Sequence, residues 1–202
     1  MDWSLVHAVN AFVAARDALE DPVTAFAMVA VPLYAVATVL LWLLDRPYWV
    51  PRWKIASASA LASAGVALLA DQVIGHLWDR ARPFAAHPGA VHLLDGRSTD
   101  PSFPSDHAAA AFAIAFAVYA VSRWAGAAFL AAAAAIAISR VALGLHYPSD
   151  VFAGALVGWG SAQLVVHLGR PWVLRAVDLA GRLTDPVLAR LRRVRWSAVW
   201  RA

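Results

Sequence analysis

The chain has 202 residues, 61% of them hydrophobic and only 15% charged, with a mean hydropathy of +0.61. A soluble domain is about 45–50% apolar and about 25% charged, so this is the composition of a membrane protein. The absence of Cys excludes disulfides, thiolate metal sites, a redox dithiol and a lipobox anchor. The length admits five or six spanning helices of roughly 20 residues each with short loops. It leaves no room for a separate soluble catalytic domain, so any chemistry lies among the helices. The net charge is +4, and sixteen of the seventeen basic residues are Arg, crowded toward the C-terminus. Beside so much apolar sequence, that charge reads as a membrane-surface tail and not as a nucleic-acid partner.

Residues 1–22 hold a short apolar patch (Trp3, Leu5, Val6, Val9, Phe12, Val13) followed by Arg16, Asp17, Glu20 and Asp21. The patch is too short to span and is not preceded by basic residues, which fits an interfacial amphipathic helix better than a signal peptide. Val23–Leu44 is an uncharged span in which Pro32 predicts a kink. Trp49 and Trp53 mark an interfacial loop. Ile55 to about Trp78 is the second span, made of small residues and interrupted by Asp71 and His76. A polar loop of about 28 residues follows, and then spans at His107–Val121, Ala125–Leu143 and Pro148–His167. Gly154 and Gly158 have the small-xxx-small spacing of close helix contacts. The tail 169–202 reads as a basic, surface-lying amphipathic helix broken near Pro186.

Five spans put the chain ends on opposite sides. The side with loop 45–54, loop 122–124 and the tail carries twelve basic residues, and the other side five. The positive-inside bias makes the tail cytoplasmic and turns segments 79–106 and 140–150 outward. Both polar segments therefore share one face.

Three clusters lie at that face: Arg80-Ala81-Arg82-Pro83-Phe84; Pro104-Ser105-Asp106-His107; and Ser139-Arg140 with His146 and Asp150 at fixed spacing behind them. Arg140 ends an apolar run, where a charged side chain calls for a partner or ligand. Arg82 and Arg140 suit a bidentate clamp on phosphate. Ser105 stands at a helix N-terminus, where backbone N–H groups favour an anion. His107 is placed to protonate a leaving oxygen, and the four-residue step to Asp150 lets that carboxylate hold the N–H of a nucleophilic His146. The set amounts to a phosphoryl-transfer site without a metal. Taken singly, Ser105 and Asp150 also read as helix caps, and Arg140 as a snorkelling arginine. His76, His87, His92 and His167 read as interfacial histidines, Asp71 as a helix-packing acid, and the ten tryptophans as membrane belts.

Together the clusters resemble the type 2 phosphatidic acid phosphatase superfamily of membrane lipid phosphatases. Its pattern is a Lys, six residues and Arg-Pro; then Pro-Ser-Gly-His; then Ser-Arg-x5-His-x3-Asp. Arg82-Pro83, Pro104-Ser105-x-His107 and Ser139-Arg140…His146…Asp150 match it. The resemblance implies an all-α integral-membrane helical bundle, here at residues 1–168. It also implies His146 as a nucleophile forming phosphohistidine, Asp150 as its orienting partner and His107 as general acid. Arg82, Ser105 and Arg140 would bind the phosphate. Two positions depart: Gly75 stands where the family has Lys, with Arg80 or His76 as the candidates to replace it and Arg80 preferred among the phosphate ligands, and Asp106 stands where the family has Gly. The runs Arg82-Pro83-Phe84…His87 and Ser102-Phe103-Pro104-Ser105-Asp106-His107 look most like the bacterial undecaprenyl-diphosphate phosphatase (bacitracin-resistance) branch.

The expectation is thus a metal- and cofactor-independent membrane enzyme that hydrolyses undecaprenyl diphosphate at an outward-facing site, without nucleic acid or an obligate protein partner. A phosphatase of phosphatidylglycerophosphate, phosphatidic acid or another lipid monophosphate is the alternative within the enzyme class. An inactive anionic-lipid-binding protein is the alternative outside it. A His/Asp metal site for transport fits poorly, because the neighbouring arginines repel a cation.

Overall fold

The computed structural model describes residues 2–46, 49–93 and 99–199, the last eight of these by backbone alone. Every regular element among the described residues is helical. They are α1 (Asp2–Ala14), α2 (Asp17–Leu40, prolonged by a 3-10 turn to Leu44), α3 (Arg52–Trp78) and α4 (Pro83–Ala86). Then come α5 (Asp106–Val121), α6 (Arg123–Ala142), α7 (Pro148–Gln163, ending in a π turn to Leu168) and α8 (Arg170–Val199).

Four stretches are long and apolar enough to cross a membrane: Asp17–Leu44, Arg52–Ala86, Arg123–Ala142 and Pro148–Leu168. α5, at 16 residues, is shorter, about 24 Å at 1.5 Å per residue. It is the axis of the bundle, packed on α3, α6 and α7. Alanine makes that possible, since it has the highest helix propensity and the smallest side chain that still packs. Ala108, Ala109, Ala111, Ala113, Ala115 and Ala117 are all buried along it. Large apolar side chains on α2, α3 and α7, such as Leu33, Leu69 and Phe152, point outward instead. That inversion suits lipid as the solvent. The protein is a multi-pass membrane bundle.

The expected close contact at Gly154 and Gly158 is present. A Cβ at Gly154 would lie 2.5 Å from Ser105 O, and one at Gly158 would lie 2.5 Å from Ala109 O. α7 therefore lies backbone to backbone on the first turns of α5, which fixes the distance between the second and third clusters. Buried polar groups pin α2 to the same core: Tyr34 Oη donates to Ala111 O (2.9 Å) and Arg140 Nη2 donates to Ala27 O (2.9 Å).

Two expectations change. The helix does not break near Pro186: α8 continues through it. The carbonyl freed by the proline ring belongs to Arg182, on an exposed turn where water can satisfy it. Nor does the start of the tail lie free of the bundle. Val173 and Val177 are buried with Ile55 and Ala58 beside them, and Lys54, itself buried, pairs with Asp185. The basic residues Arg192, Arg193, Arg195 and Arg201 lie outside the described side chains, as does Arg97.

Candidate active site

The three clusters meet at one face of the bundle, and backbone hydrogen bonds join them. Ser102 N–H donates to Arg80 O (2.7 Å), and Ser105 N–H donates to Asp150 O (3.1 Å). Leu145 N–H donates to Arg140 O (3.1 Å), folding the α6–α7 turn back on itself. Gly144 makes that turn with φ +72°, and a Cβ there would strike Val91 Cγ1 at 2.3 Å. Only glycine serves both needs.

His146 occupies the centre, 1% exposed. Its Nδ1 lies 2.8 Å from Ser102 O, and its Nε2 lies 3.2 Å from Arg82 Nη1. A carbonyl can only accept and a guanidinium can only donate, so Nδ1 carries the proton and Nε2 presents the lone pair. Burial, and then the Arg82 guanidinium, push the imidazole from its ordinary 6.5 down to about 3. His146 is thus a neutral imidazole at physiological pH, with the Nε2 lone pair turned toward Arg82.

Asp150 is fully buried, but it is not hydrogen-bonded to His146: Oδ2 stands 4.0 Å from Nδ1, beyond bonding distance. The expected direct contact is replaced. Oδ2 accepts from Ser102 Oγ (2.6 Å) and from Tyr147 N–H (2.9 Å), the latter capping α7, while Oδ1 accepts from Arg80 Nη1 (2.6 Å). Asp150 is therefore a helix cap and a neighbour of the buried His146 ring at once.

Arg80, expected among the phosphate ligands, is occupied otherwise. Besides Asp150 it donates to Ser149 Oγ (2.7 Å) and to Asp2 Oδ2 (2.8 Å), and it lies over the Tyr147 ring at 3.9 Å. It acts as the counter-ion of a buried carboxylate, whose charge is costly to leave uncompensated. Partial burial alone would raise the Asp2 carboxyl, but hydrogen bonds from Ser149 and Arg80 hold it below its ordinary value.

Arg82 is 8% exposed and also donates through Nε to Asp100 O (2.9 Å), leaving its fork aimed at His146. Arg140 is 4% exposed at the end of α6. Ser105 is fully buried and is the N-cap residue of α5 by position, yet its hydroxyl makes no capping bond and has no partner among the described residues. Asp106 supplies a cap instead: its Oδ1 accepts from the His107 N–H and from His107 Nδ1, both at 2.7 Å. The carboxylate that replaces the family's Gly thus orients the His107 ring. Gly75 lines a small polar cleft with Asp71, Arg82 and Asp106, and Asp71 Oδ1 has no partner among the described residues. No three His, Asp or Glu side chains among the described residues gather as metal ligands would.

Three participants escaped the sequence reading as site residues. Ser102 was visible only as part of the Ser-Phe-Pro-Ser-Asp-His run. Asp2 carried no signal beyond an acid at a helix start. Asn10, 1% exposed, bridges the chain at His92 to Ala142 O and so ties α1 to the α6–α7 turn.

Residues 53–173 match the PAP2 superfamily. The chain belongs to that superfamily. It is 36% identical over 121 residues to the bacitracin transport permease protein BcrC of Bacillus licheniformis, covering 58% of this chain and 59% of that protein. The chain thus spans about three fifths of that relative's length. It is 28% identical over 196 residues to the undecaprenyl-diphosphatase BcrC of Bacillus subtilis, covering 94% of this chain and 93% of the relative. The crystal structure of Aquifex aeolicus LpxE superposes with a TM-score of 0.67 at 22% identity, covering 82% of this chain and 94% of that one. That likeness establishes a shared fold. The superfamily's third pattern, as the sequence resemblance gives it, falls on Ser139, Arg140, His146 and Asp150, at the end of α6, in the turn and at the start of α7.

Proposed function

We propose that this PAP2-superfamily protein is a metal-independent phosphatase that hydrolyses undecaprenyl diphosphate to undecaprenyl phosphate and phosphate through a phosphohistidine. The observation that carries the proposal is the His146 imidazole, buried, neutral, and holding its Nε2 lone pair beside the Arg82 guanidinium. Simple lipid binding needs cations and gains nothing from an oriented nucleophile. The diphosphatase name of the B. subtilis relative, which aligns almost end to end, supports the substrate.

The terminal phosphate enters between Arg82, Arg140 and the buried Ser105 hydroxyl, whose unused hydrogen-bonding capacity suits it to an anion. The His146 Nε2 lone pair forms a bond to the terminal phosphorus as the phosphorus–oxygen bond to the lipid phosphate breaks. His107, protonated and held by Asp106, gives its proton to that leaving oxygen. Now neutral, it takes a proton from water, whose oxygen attacks phosphorus and breaks the phosphorus–nitrogen bond. Positive charge is supplied by arginines in place of a metal. The polyprenyl chain lies along the outward apolar faces of the helices. The positive-inside bias of the sequence, twelve basic residues on the tail's side of the expected spans against five on the other, supports a site outside and the tail 169–202 in the cytoplasm.

Phosphate release from undecaprenyl diphosphate in detergent with excess EDTA tests this, for wild type and His146→Ala. Release in the first and its loss in the second is the expected result. Release only from phosphatidic acid or phosphatidylglycerophosphate would keep the chemistry and reject the substrate. Silence on all three lipids would reject the enzyme in favour of an anionic-lipid-binding protein.

A further inference from the structure

We propose that Ser102 is a positioning residue that keeps Asp150 off the nucleophile, so that the pair works as an Asp150–Ser102–His146 relay and not as a direct carboxylate–imidazole contact. The proposal rests on the phosphohistidine reading above.

Ser102 is fully buried and touches both partners at once: its carbonyl accepts from His146 Nδ1 (2.8 Å) while its hydroxyl donates to Asp150 Oδ2 (2.6 Å). A carboxylate oxygen has about two acceptor directions. On Oδ2, the oxygen measured at 4.0 Å from the imidazole, one is taken by Ser102 Oγ and the other by Tyr147 N–H. No lone pair on that oxygen remains for His146 while the serine hydroxyl is in place. Ser102 is itself held from behind, since its N–H donates to Arg80 O (2.7 Å) and Arg80 binds Oδ1 of the same carboxylate.

The consequence is chemical. A carboxylate bonded directly to Nδ1 would raise the proton affinity of the ring and block Nε2 with a proton. A carbonyl on Nδ1 sets the same tautomer without a full charge, and the carboxylate one shell away still stabilises the positive ring formed on phosphorylation. The charged and titratable groups facing His146 are Arg82, Asp106 and His107, with Asp150 behind Ser102. Of these, only Asp150 changes its bonding when the hydroxyl is removed.

The test is the protonation of His146 followed by NMR in histidine-labelled full-length protein, a readout independent of turnover. In wild type the ring stays neutral down to about pH 4. In Ser102→Ala one acceptor direction on Oδ2 opens, the carboxylate closes on Nδ1, and the titration moves up by roughly one to two pH units. Turnover at pH 4 then falls about two- to tenfold while kcat at pH 7 changes far less. Ser102→Thr, which keeps the hydroxyl, retains the wild-type titration. In an Asp150→Asn background, removing the hydroxyl shifts nothing, because no charge is left to release. An unmoved titration in Ser102→Ala, or an equal shift in both backgrounds, overturns the relay. Failure of the reading beneath it shows separately: wild type treated with undecaprenyl diphosphate labelled in its terminal phosphate would then carry no label on His146.

Discussion

Arg80 offers the sharpest test of the site's electrostatics, because as phosphate ligand and as counter-ion it would behave differently on removal. The perturbation is Arg80→Gln, which keeps length and polarity but loses the charge. Asp150 is fully enclosed, whereas the Arg80 side chain is 30% exposed and that of Asp2 is 31% exposed. Breaking a buried ion pair by removing one partner costs about 3–5 kcal/mol. Here Oδ2 keeps its bonds from Ser102 and Tyr147, and the lost cation is partly screened by solvent, so about 2 kcal/mol is expected. For a chain of this size that lowers the midpoint of thermal unfolding by about 4–8 °C. Tryptophan fluorescence in detergent reads it, with ten tryptophans as reporters. Inhibition by inorganic phosphate is measured on the same samples and stays within about threefold of wild type, less than 1 kcal/mol. Asp2→Asn, at the exposed end of the network, costs less than about 1 kcal/mol. A variant with wild-type stability but phosphate affinity weakened by tenfold or more would refute the counter-ion assignment and return Arg80 to the phosphate ligands.

On the opposite face, Lys54→Met removes the ammonium that pairs with the buried Asp185 carboxylate and costs about 3 kcal/mol, while Lys54→Met with Asp185→Leu recovers most of it; thermal unfolding of the three proteins reads both steps. The imidazole of His146 has a proton affinity far below that of the unfolded chain, so low pH favours unfolding. Its contribution is fully present above pH 6.5 and declines as pH falls toward about 3. Unfolding measured across that window should show a steeper loss in wild type than in His146→Gln. Gly75→Lys is expected to fold with stability within about 1 kcal/mol of wild type, because a Cβ there meets Phe103 O at an ordinary 3.6 Å and the cleft beyond holds Asp71. A loss of more than about 2 kcal/mol would show that the cleft cannot receive the ammonium.

Composition and spacing determined a good deal unaided. Membrane residence, the apolar spans and the gathering of three polar clusters on one face all follow from hydropathy along the chain and from the parity of crossings, whereas the packing of the tail's first turns on α3 does not. Those quantities are one-dimensional, and lipid enforces them. The motif residues His146, His107, Asp150, Arg82, Ser105 and Arg140 were equally legible, because their spacing is local. Partner choice was not. Whether Nδ1 of His146 meets Asp150, four residues away, or Ser102, 44 residues away, depends on distances of 4.0 and 2.8 Å. Arg80 took Asp2, 78 residues distant, and Asp150 because a buried carboxylate demanded a cation there. Helix α8 likewise ran on through Pro186, anchored by a buried lysine 131 residues upstream of its aspartate. Hydrogen bonding discriminates on a scale of about 1 Å, and only the packed backbones of α3, α5 and α7 set positions that finely.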